Sequence, residues 1–165
     1  MPGVTINGSE IYEVIAPGHV TYKIEEYIPR TCTGGYDENG NCRRYSGGYW
    51  TEANPSTGSI DAKITGYISA PSSRMKVQGS NIAKVGDITI EQWEATSSIP
   101  SSNDSYRYTA TSPTQDSGQG QIISGSTKGK LDGKAIALIG STVQTCIPDV
   151  TTTIKTGNEK MKFSS

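Results

Sequence analysis

Three thiols and one imidazole are the residues of this 165-residue chain best suited to site chemistry: Cys32, Cys42, Cys146 and His19. Together they make a Cys₃His set, enough to fill the tetrahedral shell of a structural zinc ion. The spacing leaves an alternative open. Cys32 and Cys42 lie on either side of Asp37-Glu-Asn-Gly40, a turn sequence that folds a hairpin and brings the two thiols close together. A Cys32–Cys42 disulfide, or two free thiols with Cys146 buried, therefore reads from the same residues, and nine intervening residues is not a zinc-knuckle spacing. Nucleophilic catalysis has less behind it. His19 stands in Ala16-Pro-Gly-His-Val20, no Gly-x-Ser-x-Gly elbow occurs, and a Cys146–His19 dyad rests on two isolated residues. The acid pairs Glu25-Glu26 and Glu10/Glu13 read as solvated strand faces, and Asp87 and Asp132 beside glycines as turn residues. No phosphate-loop or dinucleotide fingerprint is present. The expectation is a protein that is not an enzyme.

The elements that must position these residues are strands. Eighteen Ile and seven Val stand against two Leu, with nineteen Gly and eight Pro. β-branched residues and turn formers at that ratio favour sheet over helix, which rules out a helical bundle and disfavours a doubly wound α/β enzyme. The formal charge of −1 argues against nucleic acid as a partner and against a broad anionic-membrane surface. No apolar run approaches the roughly 18–20 residues that cross a bilayer as a helix, so stable membrane insertion is not expected. Residues 1–10 lack the basic start and apolar centre of a signal peptide, so synthesis in a reducing cytoplasm is expected.

An internal repeat organises the second half. Gly66 to Asp87 aligns without gaps to Gly120 to Ser141: Gly66 with Gly120, Ile68 with Ile122, Ser72 with Ser126, Lys76 with Lys130, Gly79 with Gly133, Ile82-Ala83 with Ile136-Ala137, Gly86 with Gly140. A shorter third copy follows, in which Ile154-Lys-Thr-Gly157 and Lys162-Phe163 track Ile122-Ile-Ser-Gly125 and Lys130-Leu131. Each copy reads as strand, tight turn, strand. Ala83 and Ala137 are small where strand propensity favours Val, as expected where repeats converge in little space. Residues 1–65 read as an N-terminal β-hairpin region and 66–165 as the repeat region, with a polar inserted loop at about 94–118.

This pattern resembles the PAAR-repeat family, the tips of contractile injection machines. Asn81-Ile-Ala-Lys84 before Val85-Gly86-Asp87 fits the family's signature position, and Ala135-Ile-Ala-Leu138 before Ile139-Gly140-Ser141 fits it again with Ser141 for the aspartate. Val143-Gln-Thr-Cys146-Ile-Pro148 is similar to the family's Val-x-Cys-Pro element. The resemblance implies an all-β, cone-shaped, pseudo-threefold arrangement of hairpin repeats, its third face supplied by Ile154–Phe163 or by the first 60 residues. It also implies a mechanical role: one copy capping a trimeric β-helical spike in a phage tail, tailocin or type VI-like system, monomeric when free and acting in the virion tail or extracellular particle. The family binds a metal near its apex through three histidines and a cysteine. Cys146 matches that cysteine, but Ile88-Thr-Ile-Glu-Gln92 stands where the histidines occur, so the zinc ligands here would be His19, Cys32, Cys42 and Cys146. A different class of function is a β-domain binding glycan or a receptor through Tyr45, Tyr49, Trp50, Trp93, Tyr106 and Tyr108, all placed among turn-rich segments.

Overall fold

The computed structural model describes residues 1–165, which form strands, turns and irregular segments without a helix. The all-β expectation from Ile, Val and Gly usage therefore holds. The chain forms two compact units, one of residues 1–17, 61–96 and 115–165, the other of residues 18–60 and 97–114. The division differs from a boundary at 65. Tyr49–Ser69 is one unbroken 21-residue strand, Pro55 and Gly58 included, whose two parts belong to different units. Residues 1–17, meanwhile, pack with the repeats.

In the first unit, three segments that are far apart in sequence close on one another through their backbones. The Thr5 N–H donates to the Ala137 carbonyl at 2.9 Å, the Ala137 N–H to the Ala83 carbonyl at 3.0 Å, and the Ala83 N–H to the Thr5 carbonyl at 2.9 Å. The cycle has no free end: each residue gives one hydrogen bond and receives one. Each member leads into the same turn. Gly8, Gly86 and Gly140 have φ of +88°, +98° and +94°, with no positive φ at the preceding residue, as a type II turn requires. The side chains of Ser9, Asp87 and Ser141 accept from the N–H groups of Ile6, Lys84 and Leu138 at 3.0, 3.0 and 2.9 Å. Serine and aspartate are interchangeable there because the turn needs only one acceptor oxygen.

Beyond the turn, the N–H groups of Gly8, Gly86 and Gly140 donate to the carbonyls of Ile68, Ile122 and Ile154, whose own N–H groups return bonds to the carbonyls of Ser9, Asp87 and Ser141. The alignment of Ile68, Ile122 and Ile154 is thus matched by their hydrogen bonds. The N-terminal Val4-Thr-Ile-Asn-Gly-Ser9 is a third version of Ile82–Asp87 and Ile136–Ser141, one the alignment alone did not reveal. Two ends of the chain build this third copy jointly, since Asn158–Lys162 pairs antiparallel with Gly3–Val4, Gly3 opposite Lys162.

Burial follows the same order. Ile68, Ile122 and Ile154 are fully buried with Val143 and Ile11, while Val4, Ile82 and Ile136 form a second cluster with Val77 and Leu131. Ala83 and Ala137 are fully buried as well. A sheet of five strands continues this unit, in the order Thr151–Thr153, Thr142–Gln144, Gln115–Ile122, Ile88–Ala95 and the second part of Tyr49–Ser69.

The second unit has three strands in the order Tyr49–Ser69, Val14–Ile28, Tyr106–Ala110, and a small hairpin of Thr31–Cys32 with Tyr45–Ser46. The polar stretch at 94–118 is less of a loop than its composition predicts. Tyr106 and Tyr108 alternate on a true strand, set opposite Glu26 and Ile24, and Gln115–Ile122 is already sheet. The outer edge of Tyr106–Ala110 is covered locally: Asn103 donates its N–H to the Tyr106 carbonyl, and the Ser102 hydroxyl accepts from the Tyr108 N–H.

Neighbouring isoleucines separate burial from propensity. Ile122→Ala is expected to cost about 3 kcal/mol in chemical denaturation, because its side chain is wholly enclosed. Ile123→Ala, whose side chain is 49% exposed, should stay within about 1 kcal/mol.

Candidate interaction surface

The structure brings two of the four candidate ligands together. Cys32 and Cys42 form a disulfide across the small hairpin, which the turn sequence between them makes close. The Asp37 carboxylate organises that turn by accepting from the N–H groups of Asn39 and Asn41, both at 2.9 Å. Disulfide sulfurs have no thiolate to offer a metal. His19 lies half-buried on Val14–Ile28, and Cys146 is a free thiol of intermediate burial. No group of three or more His, Cys, Asp or Glu side chains is placed to hold an ion.

Cys146 has a different partner. Its backbone N–H donates to Oε1 of Glu91 at 2.8 Å, and Oε2 of Glu91 accepts from the Thr89 hydroxyl, which itself accepts from the Gly120 N–H at 2.9 Å. Glu91 is fully buried. Gly118 and Gly120 leave it room: a Cβ on Gly118 would lie 2.7 Å from the Cys146 Cβ, and one on Gly120 would strike Glu91 Oε2. Sequence reasoning did not single out Glu91, which a lone acid between Ile90 and Gln92 does not mark as buried. Burial pushes the Cys146 thiol up to about 12, and the hydrogen bond and charge of Glu91 add to the shift. The thiol is neutral and unreactive at ordinary pH.

The remaining candidates are engaged within the fold. Glu25 accepts two hydrogen bonds from the Arg107 guanidinium, at 3.0 and 3.1 Å, which hold its carboxyl below the usual range. Glu13 pairs with Lys63 at 3.6 Å. Arg107 also stacks over Trp50 at 4.6 Å, Tyr27 packs against Trp50 at 5.3 Å, and Arg30 lies 3.7 Å over Tyr45. Tyr22 and Tyr108 meet edge to face, and Trp93 is buried. Tyr49 and Tyr106 remain exposed.

A larger feature emerges from the hairpins. Lys76–Val77 with Ser80–Asn81 and Lys130–Leu131 with Lys134–Ala135 each close on two residues of positive φ, Gln78-Gly79 and Asp132-Gly133, the two-residue turn that matches strand twist. The Asn158–Lys162 pairing with Gly3–Val4 takes the corresponding place in the third copy. Lys76 faces Asn81, Lys130 faces Ala135 and Lys162 faces Gly3, each one residue before the buried Ile82, Ile136 and Val4. Three lysines are thus equivalent. Two residues earlier stand Arg74, Lys128 and Lys160, and all six cations are exposed. The residues between and after them face inward: Met75 and Met161 pack on the second cluster, Gly129 makes way for the Phe163 ring, and Val77, Leu131 and Phe163 join that cluster. The pattern is cation, inward residue, lysine, apolar residue, three times over. Only two acids lie beside it, Asp132 at 3.5 Å from Arg74 and Glu159 at 3.3 Å from Lys162.

Comparison with protein-family models, with curated proteins and with solved structures finds no match for the chain.

The thiol state is directly measurable. A thiol-reactive chromogenic reagent at pH 8 should label no cysteine of the native, unreduced protein on the scale of minutes, and one per chain in denaturant. Because the folded state holds the thiol proton more tightly, its contribution to stability is complete below about pH 9 and is lost as pH rises towards 12. In Cys146→Ser that part of the alkaline slope should vanish.

Proposed function

We propose that this chain is a structural tip protein that caps the end of a trimeric β-helical spike and sharpens it for piercing a target envelope, as the PAAR-repeat resemblance implies. The observation that carries the reading is the backbone cycle of Thr5, Ala83 and Ala137, with its three matching turns, two matching hairpins and the terminal strand pair that takes the third hairpin's place. A homotrimer ends in three identical strand termini whose open backbone edges invite further association. A single chain that repeats one motif three times about a common centre can meet all three at once, as a homodimer or a chain with two repeats cannot. On this reading the first unit is a pseudo-threefold cone, and the second unit is an elaboration on it.

The role is mechanical, and the bonding suits it. Every strand end at the centre is tied to two others, and the buried Ala83 and Ala137 keep the backbones close. Load applied to one repeat is shared by the other two.

Stoichiometry is the test. Native mass spectrometry of particles or spike complexes carrying the chain should find one copy per three spike subunits, and the purified chain alone should be a monomer. Three copies per spike trimer, or a stable homotrimer of the free chain, would contradict the reading.

A further inference from the structure

We propose that the six exposed cations on the two hairpins and the terminal strand pair, Arg74, Lys128, Lys160 and Lys76, Lys130, Lys162, form the docking surface of the first unit. The partner they fit is the end of a homotrimer that presents acidic side chains, one set to each hairpin. This deepens the tip reading and rests on it: it identifies the hairpins as the spike-facing part and gives the chemistry of the facing surface.

Three observations carry the inference. The first is composition against position. The chain has fifteen Lys and Arg in 165 residues and a net charge of −1, yet all six of these outward positions are cationic. Chance at that frequency does not fill six of six. The second is what varies between the copies. The inward residues differ freely, Met, Gly and Met at one position and Val, Leu and Phe at the next. The turns differ too, Gln78-Gly79 against Asp132-Gly133. Packing has drifted while charge has stayed. The third is the absence of internal use. Arg74 reaches Asp132 with 86% of its side chain exposed, and the Lys162–Glu159 pair is similarly open; exposed pairs of this kind contribute little to stability. The cations are not there to hold the fold.

Repetition decides between partners. An anionic membrane or polymer responds to charge density and gains nothing from charges set at equivalent places in three repeats. A trimer offers each acidic group three times in register, so each hairpin finds the same counterpart. Opposed charge of this sort steers association and fixes rotational register more than it deepens affinity.

The experiment uses the full chain, its lysine variants and the trimeric spike found with it in the stoichiometry measurement above. Binding is followed by sedimentation and calorimetry at 50 and 300 mM NaCl. Single reversals Lys76→Glu, Lys130→Glu and Lys162→Glu should each weaken binding by about threefold, to the same extent, and the triple reversal by about thirtyfold. The neutral triple variant with glutamine should fall between, and salt should weaken the wild type more than either triple variant. Arg43→Glu/Arg44→Glu, exposed cations of the second unit, serve as the control and should bind as the wild type. Thermal unfolding of each variant confirms that the fold is kept. Triple variants that bind the trimer like the wild type, or effects confined to one lysine, would overturn the docking surface and leave the tip reading standing. Wild-type chain that binds no trimer but binds vesicles with 30% phosphatidylserine in a lysine-dependent way would overturn both.

Discussion

Three backbone hydrogen bonds in a closed cycle, joining Thr5, Ala83 and Ala137, are the constraint on which the first unit depends. A cycle is more demanding than a ladder. In a sheet a strand can be lost from the edge and the rest survives; in a cycle, removal of any member leaves the other two with an unpaired donor and an unpaired acceptor in a buried place, at about 1–3 kcal/mol for each group. That demand explains the alanines, which let three backbones approach within hydrogen-bond distance, and it explains the glycines at +88° to +98°, which turn each chain away as soon as its bond is made. It also explains why both ends of the sequence are needed. The third copy exists only when Gly3–Val4 meets Asn158–Lys162, a contact across nearly the whole chain. Contacts of such sequence separation form late and slowly.

The clusters on the two sides of the cycle serve different ends. Around Ile68, Ile122 and Ile154 the unit is fully enclosed and continues into the five-stranded sheet, where Glu91 replaces apolar packing by accepting from Thr89 and from the Cys146 backbone. Around Val4, Ile82 and Ile136 the hairpins turn apolar residues in and cations out. The disulfide sits in the second unit, where a turn-rich hairpin with little apolar burial gains most from a constraint on its unfolded chain.

Strand content and two of the three repeats were legible because their signals are local: β-branched runs, a glycine at each turn, Ile-Ala at each crossing. The third repeat was half-legible. Ile154 and Lys162-Phe163 showed in the alignment, but Val4-Thr-Ile-Asn-Gly-Ser9 shares only a β-branched residue, a glycine and an oxygen acceptor with its counterparts, and hydrogen-bond geometry needs no more than that. The length of Tyr49–Ser69 was not legible, because it includes Pro55 and Gly58; the Gly58 backbone lies beneath the Tyr22 ring, which a Cβ would strike. The pairing of the thiols was left open for a physical reason as well. Counting ligands does not say which thiols meet, and the turn at Asp37–Gly40 pairs Cys32 with Cys42. The basic positions were present in the alignment but carried no weight until pairing registers showed that Lys76, Lys130 and Lys162 hold equivalent places.

Native-state hydrogen exchange of the intact protein tests the central claim most directly. If the cycle closes the first unit, the amides of Thr5, Ala83 and Ala137 should exchange together, with one opening free energy that is among the highest in that unit. A Thr5 amide that exchanges orders of magnitude faster than those of Ala83 and Ala137 would contradict the account, because it would show two repeats holding together without the third.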